Sequence, residues 1–506
     1  MNKKLIIIIS ALFITCGIIT TSAQKKHSIS PELEAEIAPL IDQIMSDPEQ
    51  GEIIMNKNIL KKYKKDRETL ISIGYYFLDN NLFGECLGIA HNLYEKDPSF
   101  IPAIYLEGDA YSKIKKYGEA STKYEEARAL KPDDMEPYVK LVEVYKYVNP
   151  EYAMQLVDEL SAQKGEDPDA NRVLGSLYYQ LNDTTKSIKA FNTYFASCTD
   201  GNIDLKARED YAVVMFLSKN YKTSLDMVKK ILPEDPEEIS LNRMLFYNNI
   251  ELEDYDAANS AYNEFFVKNK DKYFDLYNYS DYKYAGIYFT KLKKYPEAVE
   301  AYKSAVEIVP EDRKDLLAQM YGDLSNAYQK TNQYDEAAEA FQNYMDTKYD
   351  KETDLVNDKF NKGKIYYYGV VYAVEKLGEA QTDTTKYESM KRRYLEEGTK
   401  LFNDVTVAKA DSYLGPSWVA RLNMLATPET PNEVAKAAFE EVIKRLDGKG
   451  EDYDSKRAEA FAYISWSYVN TEDWANARIY CDKALKCDEY NNLASQINRA
   501  LKGAGK

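Results

Sequence analysis

A pattern of small residues, aromatic residues and prolines recurs along this chain with a period of 34 residues. In the segment 295–312, YPEAVEAYKSAVEIVPED, a helix would carry Ala298, Tyr302 and Ala305 on one face and end before Pro310. The segment 117–134, YGEASTKYEEARALKPDD, repeats those residue types at the same offsets: Ala120, Tyr124, Ala127 and Pro132. Because such a face is suited to close packing, the pattern predicts a fold of stacked, repeated helices.

The period divides most of the chain into similar segments. We number eight of them repeats 1 to 8 in chain order: 67–100, 101–134, 135–167, 168–201, 205–238, 239–272, 279–312 and 318–351. A ninth repeat, 458–491, has Ser465, Tyr468, Ala477, Cys481 and Ala484 at the pattern positions, but Glu489 where proline is expected. Repeats 2 and 7 also carry a glycine and an aromatic residue in their first halves: Gly108, Tyr111, Gly286 and Phe289. This set of positions resembles the tetratricopeptide repeat (TPR) family.

The resemblance implies an all-α fold, an α-solenoid of stacked antiparallel helix pairs wound into a TPR superhelix. Each repeat would supply a first and a second helix, which cross closely only where small residues sit at the contact. The residues predicted to pack the repeats are Gly108, Ala120, Tyr124, Ala127, Gly286, Ala298, Tyr302 and Ala305.

Several repeats depart from the pattern. Repeat 3 is one residue short and contains Pro150, and repeat 6 has Phe246 and Asn249 where a small and an aromatic residue are expected. Extra residues also stand between repeats at 273–278 and 313–317. We expect local distortions of the array at these places.

The N-terminus has the features of a secretory signal peptide. Lys3 and Lys4 precede an apolar run from Leu5 to about Ile19, and small polar residues follow up to Ala23. We predict a signal peptide over 1–23, with cleavage after Ala23, and a periplasmic location. One alternative is an outer-membrane lipoprotein modified at Cys16, although the residues before this cysteine are a poor lipobox. A retained membrane anchor is a third reading, for which the apolar run is short.

The remaining segments are predicted to be helical as well. Residues 24–66 are expected to form an N-terminal helical cap, and 492–506 a C-terminal capping helix and tail. The segment 352–457 fits no clean 34-residue register, but it shows four helical patterns separated by polar loops. We interpret it as two degenerate helical hairpins with longer loops.

The chain offers little for catalysis or for metal binding. It has two histidines, and neither lies in a metal-binding or catalytic pattern; CxxC, HExxH and P-loop motifs are absent from the sequence. We therefore predict no catalytic residues, no metal site and no cofactor. A formal net charge of −17 argues against nucleic acid as a partner.

In the TPR family, repeat positions 2, 5, 9, 12 and 13 of each first helix line a concave groove. Here those positions are rich in aromatic and basic residues, and the predicted groove set is Tyr75, Tyr105, Lys113, Lys146, Arg172, Tyr179, Phe216, Arg243, Tyr247, Lys283, Lys291 and Lys330. Tyrosine and arginine supply much of the energy of protein interfaces, and lysines attract acidic partners.

These features predict a non-enzymatic, exported TPR scaffold of a Gram-negative envelope that binds a protein or an extended peptide in its groove. An acidic partner would fit the basic residues. The alternative is an outer-membrane-associated assembly or secretion accessory lipoprotein, with membrane association only through lipid at Cys16. A remote alternative is an enzyme whose active site lies in 352–457, the one irregular stretch of sufficient size.

Overall fold

The computed structural model of the chain describes residues 29–47, 51, 53–198, 203–310, 312–348, 355–379 and 383–505. The predicted signal peptide and Cys16 lie outside the described residues. Within those ranges the chain is all α, with no strand. It divides into two compact bodies, Met1–Leu276 and Tyr277–Lys506, and we describe each by itself.

The first body holds an N-terminal cap and repeats 1 to 6. Its cap consists of α1 (Pro31–Ser46) and a π-helix (Met55–Leu60). The repeats follow as consecutive helix pairs: α2 (Arg67–Asp79), α3 (Phe83–Lys96), α4 (Ile101–Lys113), α5 (Tyr117–Leu130), α6 (Glu136–Val148), α7 (Pro150–Lys164), α8 (Pro168–Gln180), α9 (Thr184–Ser197), α10 (Leu205–Leu217), α11 (Tyr221–Ile231), α12 (Ile239–Glu251) and α13 (Tyr255–Tyr262). A π-helix (Asn263–Lys268), α14 (Lys270–Tyr273) and a 3₁₀ turn (Phe274–Leu276) end this body.

The second body holds repeats 7 to 9 and the segment 352–457. Its helices are α15 (Tyr279–Lys291), α16 (Tyr295–Ile308), α17 (Lys314–Lys330), α18 (Tyr334–Lys348), α19 (Val356–Leu377), α20 (Thr384–Ala408), α21 (Leu414–Ala426), α22 (Glu433–Leu446), α23 (Asp454–Asn470), α24 (Trp474–Cys487) and α25 (Asn492–Gly503). In both bodies each helix packs against the next one along the chain, so that consecutive pairs stack side by side.

The small residue at repeat position 8 leaves space for the aromatic side chain at position 24 of the same repeat. A Cβ atom added to Gly108 would lie 2.5 Å from Cε1 of Tyr124, and one added to Gly286 would lie 2.6 Å from Cε1 of Tyr302. Gly175 faces Phe191 in the same way in repeat 4, at 2.6 Å. These distances are too short for any side chain, so the two helices of a repeat cross with a ring laid directly on glycine backbone.

Serine residues stabilise the same helix crossing in other repeats through hydrogen bonds. The hydroxyl of Ser187 donates to the carbonyl of Gly175 at 2.7 Å, which joins positions 20 and 8 of repeat 4. In repeats 8 and 9 the direction is reversed, because Ser325 and Ser465 at position 8 donate to the carbonyls of their position-20 alanines at 2.7 and 2.6 Å. A buried hydroxyl is therefore satisfied at each of these crossings.

The turn inside each repeat has one residue in the left-handed region. Repeat position 15 has a φ between 56° and 62° in eight of the nine repeats: Asn81, Lys115, Asn182, Lys219, Glu253, Lys293, Asn332 and Glu472. This left-handed conformation costs free energy for L-residues, and after glycine it is asparagine that adopts it most readily. Repeat 3 is the exception, because its missing residue falls in this turn: α6 ends at Val148, Asn149 caps the next helix, and α7 begins at Pro150.

The sequence irregularities coincide with irregular structure in repeat 6. Its second helix, α13, has only eight residues and is followed by the π-helix, α14 and the 3₁₀ turn. In the segment 352–457 an arginine fixes the long loop after α20, because Nη1 of Arg445 donates to the carbonyls of Thr406, Lys409 and Ser412 at 3.2, 3.1 and 2.8 Å. A cation at this helix C-terminus also complements its dipole.

Candidate partner-binding surface

The predicted groove residues differ widely in exposure. Lys113, Lys291 and Lys330 are exposed, and they lie at the C-terminal ends of their first helices. Partly buried residues make up half of the set: Tyr75, Tyr105, Lys146, Arg172, Tyr179 and Lys283. Three others are buried, namely Phe216, Arg243 and Tyr247. The prediction therefore describes a surface of uneven accessibility.

The three buried residues offer no exposed surface to a partner, and we remove them from the set. Arg243 is 1% exposed, and its Nη2 donates to the carbonyl of Leu276 at 3.2 Å. The irregular end of the first body covers this side of α12, since the hydroxyl of Tyr273 also donates to the carbonyl of Glu237 at 3.1 Å. The extra residues at 273–278 were the sequence feature that indicated this coverage of α12. Arg243 packs beneath these residues and is not available to a partner.

A polar cluster joins the first helices of repeats 1 to 3. The carboxylate of Asp109 accepts hydrogen bonds from the hydroxyls of Tyr75 and Tyr124, at 2.9 and 2.7 Å, and from Nζ of Lys140 at 2.9 Å. The ammonium of Lys140 also lies 5.5 Å from the ring centre of Tyr105. The structure thus brings the predicted Tyr75 and Tyr105 together with three residues that were not predicted as groove residues.

Burial and electrostatics keep Tyr75 and Lys140 of this cluster protonated near neutral pH. Burial and then the charge of Asp109 raise the pKa of Tyr75 far above its usual range, so its hydroxyl stays protonated and donates. Burial alone would lower the pKa of Lys140, but attraction and hydrogen bonding to Asp109 outweigh it and raise that pKa. The ion pair and the tyrosines therefore form a hydrogen-bonded patch, to which Glu136, 3.6 Å from Lys140, adds a further carboxylate.

Tyr105 contributes a ring to this patch rather than a hydrogen bond. Its hydroxyl oxygen is buried and has no hydrogen-bond partner among the described residues. Burial, and then nearby acidic charges, raise the pKa of Tyr105 above its usual range.

Repeat position 6 carries charges that the family pattern did not indicate. Lys140 in repeat 3 and Asp210 in repeat 5 both occupy it, and Asp210 accepts from the hydroxyl of Ser176 in the preceding repeat at 2.6 Å. In the second body, burial raises the pKa of Asp323 at position 6 of repeat 8, and the charge of Lys283 opposes that rise. Position 6 thus bridges consecutive first helices and holds their polar face in place.

No group of three or more potential metal ligands occurs among the described residues. His91 is exposed and lies 3.2 Å from Glu95. Burial raises the pKa of the Cys86 thiol to about 12, so that thiol is protonated and unreactive near neutral pH. No helix among these residues has both the length and the apolarity needed to cross a bilayer.

A model of the tetratricopeptide repeat family matches residues 277–348, which include repeat 7 and most of repeat 8. These are the helix pairs in which Gly286 underlies Tyr302 and Ser325 bonds to Ala337. The chain carries tetratricopeptide repeats. The helix pairs of this TPR protein are stacked within each body, as a TPR solenoid requires.

Several solved TPR structures are similar to this chain. The C-terminal part of a TPR repeat-containing protein from Cytophaga hutchinsonii has 21% sequence identity over 57% of this chain and 98% of its own, with a TM-score of 0.39. A tetratricopeptide repeat protein from Parabacteroides merdae has 18% identity over 50% and 98%, with a TM-score of 0.38. Cut9–Hcn1 of the APC/C has 14% identity over 90% and 87%, with a TM-score of 0.39. No curated protein matches the sequence.

Proposed function

We propose that this chain is a non-catalytic scaffold that binds a protein or an extended peptide along the first helices of repeats 1 to 4. The observation that carries this proposal is the patch around Asp109, in which the partly exposed rings of Tyr75 and Tyr105 are held by the hydrogen bond to Asp109 and by the nearby Lys140. Rigid aromatic side chains lose little entropy on binding and are enriched at interface hot spots.

The same face continues into repeats 3 and 4 with cationic residues. Lys146 and Arg172 are partly exposed on α6 and α8, and Nζ of Lys146 lies 3.4 Å from Oε1 of Gln180 on the next first helix. Basic groups beside tyrosine rings favour an acidic partner, because they attract it over a distance and the rings then supply contact area.

We propose that the scaffold is exported and acts in the periplasm. The support is the sequence alone: the charged start, the apolar run of Leu5 to Ile19 and the small residues before Gln24. N-terminal sequencing of the purified protein should find Gln24 first. A lipid-modified Cys16 would instead assign the chain to the outer membrane and favour the role of an envelope assembly lipoprotein.

Photo-crosslinking tests the binding face directly. A photoreactive amino acid at Tyr179, on the first helix of repeat 4, should capture the partner in the native host, and one at the exposed Lys189 on the second helix of that repeat should not. Capture from Lys189 alone would place the partner on the opposite side and refute the proposed face.

Charge reversal tests the mechanism once the partner is in hand. Lys146→Glu with Arg172→Glu should weaken binding and leave the melting temperature nearly unchanged, since exposed charges contribute little to stability. Lys189→Glu with Lys222→Glu makes the same charge change on exposed second-helix positions. If both pairs weaken binding equally, net charge and not the face determines recognition.

A further inference from the structure

Two repeats carry three lysines each in the turn between their helices. Repeat 2 has the sequence KIKK at 113–116, and repeat 7 has KLKK at 291–294, so lysines occupy positions 13, 15 and 16 in both. Position 15 is the left-handed residue, with φ of 61° at Lys115 and 59° at Lys293. Lysine has no side-chain group that relieves this backbone conformation.

Position 16 is the N-cap of the second helix; repeats 4, 6 and 9 fill it with aspartate, whereas Leu82 of repeat 1 and Asn220 of repeat 5 make no side-chain cap. Asp183, Asp254 and Asp473 each accept a hydrogen bond there from the backbone of the helix that follows. Lys116 and Lys294 have nearly the same backbone angles but make no capping hydrogen bond. A cation at this end also opposes the helix dipole. Each lysine turn therefore lacks the capping hydrogen bond that stabilises the second helices of repeats 4, 6 and 9.

Natural chains depart from such rules mainly where function requires it. The lysine side chains are exposed, and they project from a turn rather than into a cleft. Lys116 has one weak partner, Glu119 at 3.9 Å, which is also exposed and screened by solvent. In the second body, Lys330 lies at position 13 of the following repeat and adds to the same edge, because all first-to-second-helix turns of a stack lie at one edge.

The edge of the first body also carries exposed apolar groups. Tyr147 and Val148 end α6, one repeat after the KIKK turn, and they are 63% and 59% exposed. The ammonium of Lys146 lies 5.1 Å from the centre of the Tyr147 ring. Lysines combined with an exposed tyrosine and a valine are the composition of surfaces that rest in the headgroup region of a membrane.

We infer that the lysine turn of repeat 2 in the first body, and separately that of repeat 7 in the second body, each bind anionic lipid headgroups, independently of any lipid attached to the chain. The headgroup phosphates supply the negative charge, and the turn tips meet them without a groove. Lysine suits this role because its compact charge needs no fixed partner geometry, unlike the planar fork of arginine. The whole chain carries a formal net charge of −17, so these lysine turns are local concentrations of positive charge on an acidic protein.

The test replaces the lysines with asparagine at position 15, as in repeats 1, 4 and 8, and with aspartate at position 16, as in repeats 4, 6 and 9. Lys115→Asn, Lys116→Asp, Lys293→Asn and Lys294→Asp are combined in the chain from Gln24 onward, which keeps every described residue and leaves out the apolar N-terminal run. Binding to vesicles of equal parts phosphatidylglycerol and phosphatidylcholine should weaken at least about tenfold. The urea midpoint should rise, because the caps and left-handed residues are now favourable.

The matched control is Lys222→Asp, Lys230→Asn, Lys400→Asp and Lys486→Asn, which makes the same change in formal charge at exposed helix positions. It should retain the wild-type affinity for vesicles. Loss of binding in both variants would assign the effect to net charge and overturn the proposal. Failure of the wild-type protein to bind the vesicles at low salt would also overturn the proposal. Lysine-dependent binding to polyglutamate in place of vesicles would overturn it as well, and would identify an acidic polypeptide as the occupant.

Discussion

Gly286→Ala should destabilise the second body, although alanine is the better helix former. The added Cβ would lie 2.6, 2.7 and 2.8 Å from three ring atoms of Tyr302, where ordinary contacts begin near 3.4 Å. The ring must move by close to 1 Å, yet Tyr302 is 5% exposed and packs with Leu324 and Ala327 of the next repeat. Overpacking of this kind costs about 1–3 kcal/mol, and the gain in helix propensity returns only about 1 kcal/mol.

Gly322→Ala is the matched control, because it changes the same residue type in the same body without the clash. A Cβ there would lie 3.7 Å from Cδ2 of Tyr344, an ordinary contact, within α17. Removing glycine from a helix interior should stabilise the body by about 0.5–1 kcal/mol. The two substitutions are therefore expected to have opposite signs.

Hydrogen exchange is the suitable assay, since it reports local stability repeat by repeat. In Gly286→Ala the amides of α15 and α16 should exchange faster, followed by those of α17 and α18, because coupling in a solenoid runs between neighbours. The double variant Gly286→Ala with Tyr302→Leu should recover part of the loss. Equal stabilisation by the two alanines, or uniform loosening of the whole body, would refute the packing argument.

Three further outcomes follow from single residues. Glu472→Gly should raise the free energy of unfolding by about 1 kcal/mol, because φ at Glu472 is 56°. Asn182→Gly should raise that free energy by less, because asparagine already tolerates its φ of 61°. Urea unfolding measures both changes. Tyr105→Phe should leave stability unchanged or improve it by about 1 kcal/mol, because the hydroxyl it removes is buried without a partner, and a clear loss in thermal unfolding would show that the hydroxyl is satisfied. The pKa values of Tyr75, Tyr124 and Lys140 are raised in the folded state, so the stability that these groups contribute is complete below about pH 10 and is lost as the pH rises above it. Circular dichroism across an alkaline titration should therefore show unfolding above about pH 10. The Tyr75→Phe variant should unfold at a higher pH than the unmodified chain.

The repeat pattern allowed the all-α stacked fold to be predicted, because packing at the helix crossing depends on few residue types. Gly108 and Tyr124 were both predicted to pack the repeats, and the structure places them in contact with each other inside repeat 2. The sequence also shows four helical patterns in 352–457, where the structure has α19 to α22.

The binding face was less accessible to prediction, because exposure depends on what covers a helix and not on its own pattern. Arg243 occupies the same repeat position as Arg172, yet the residues up to Leu276 bury it. Asp109 and Lys140 were missed because their role arises between repeats, which a single repeat pattern does not describe. Neither relation can be read from residue type and spacing within 34 residues.

The short turn of repeat 3 shows that a repeat can lose one residue without a change in how its helices pack. One residue is missing between α6 and α7, yet the packing positions on both sides remain fully buried, with Val142 before the turn and Ala153, Val157 and Leu160 after it. Asn149 and Pro150 start the second helix at once, so the deletion is absorbed locally. The helices of a pair thus act as rigid parts joined by an adjustable spacer. Peptide tags or fluorophores inserted at 148–150 should accordingly leave the neighbouring repeats in register.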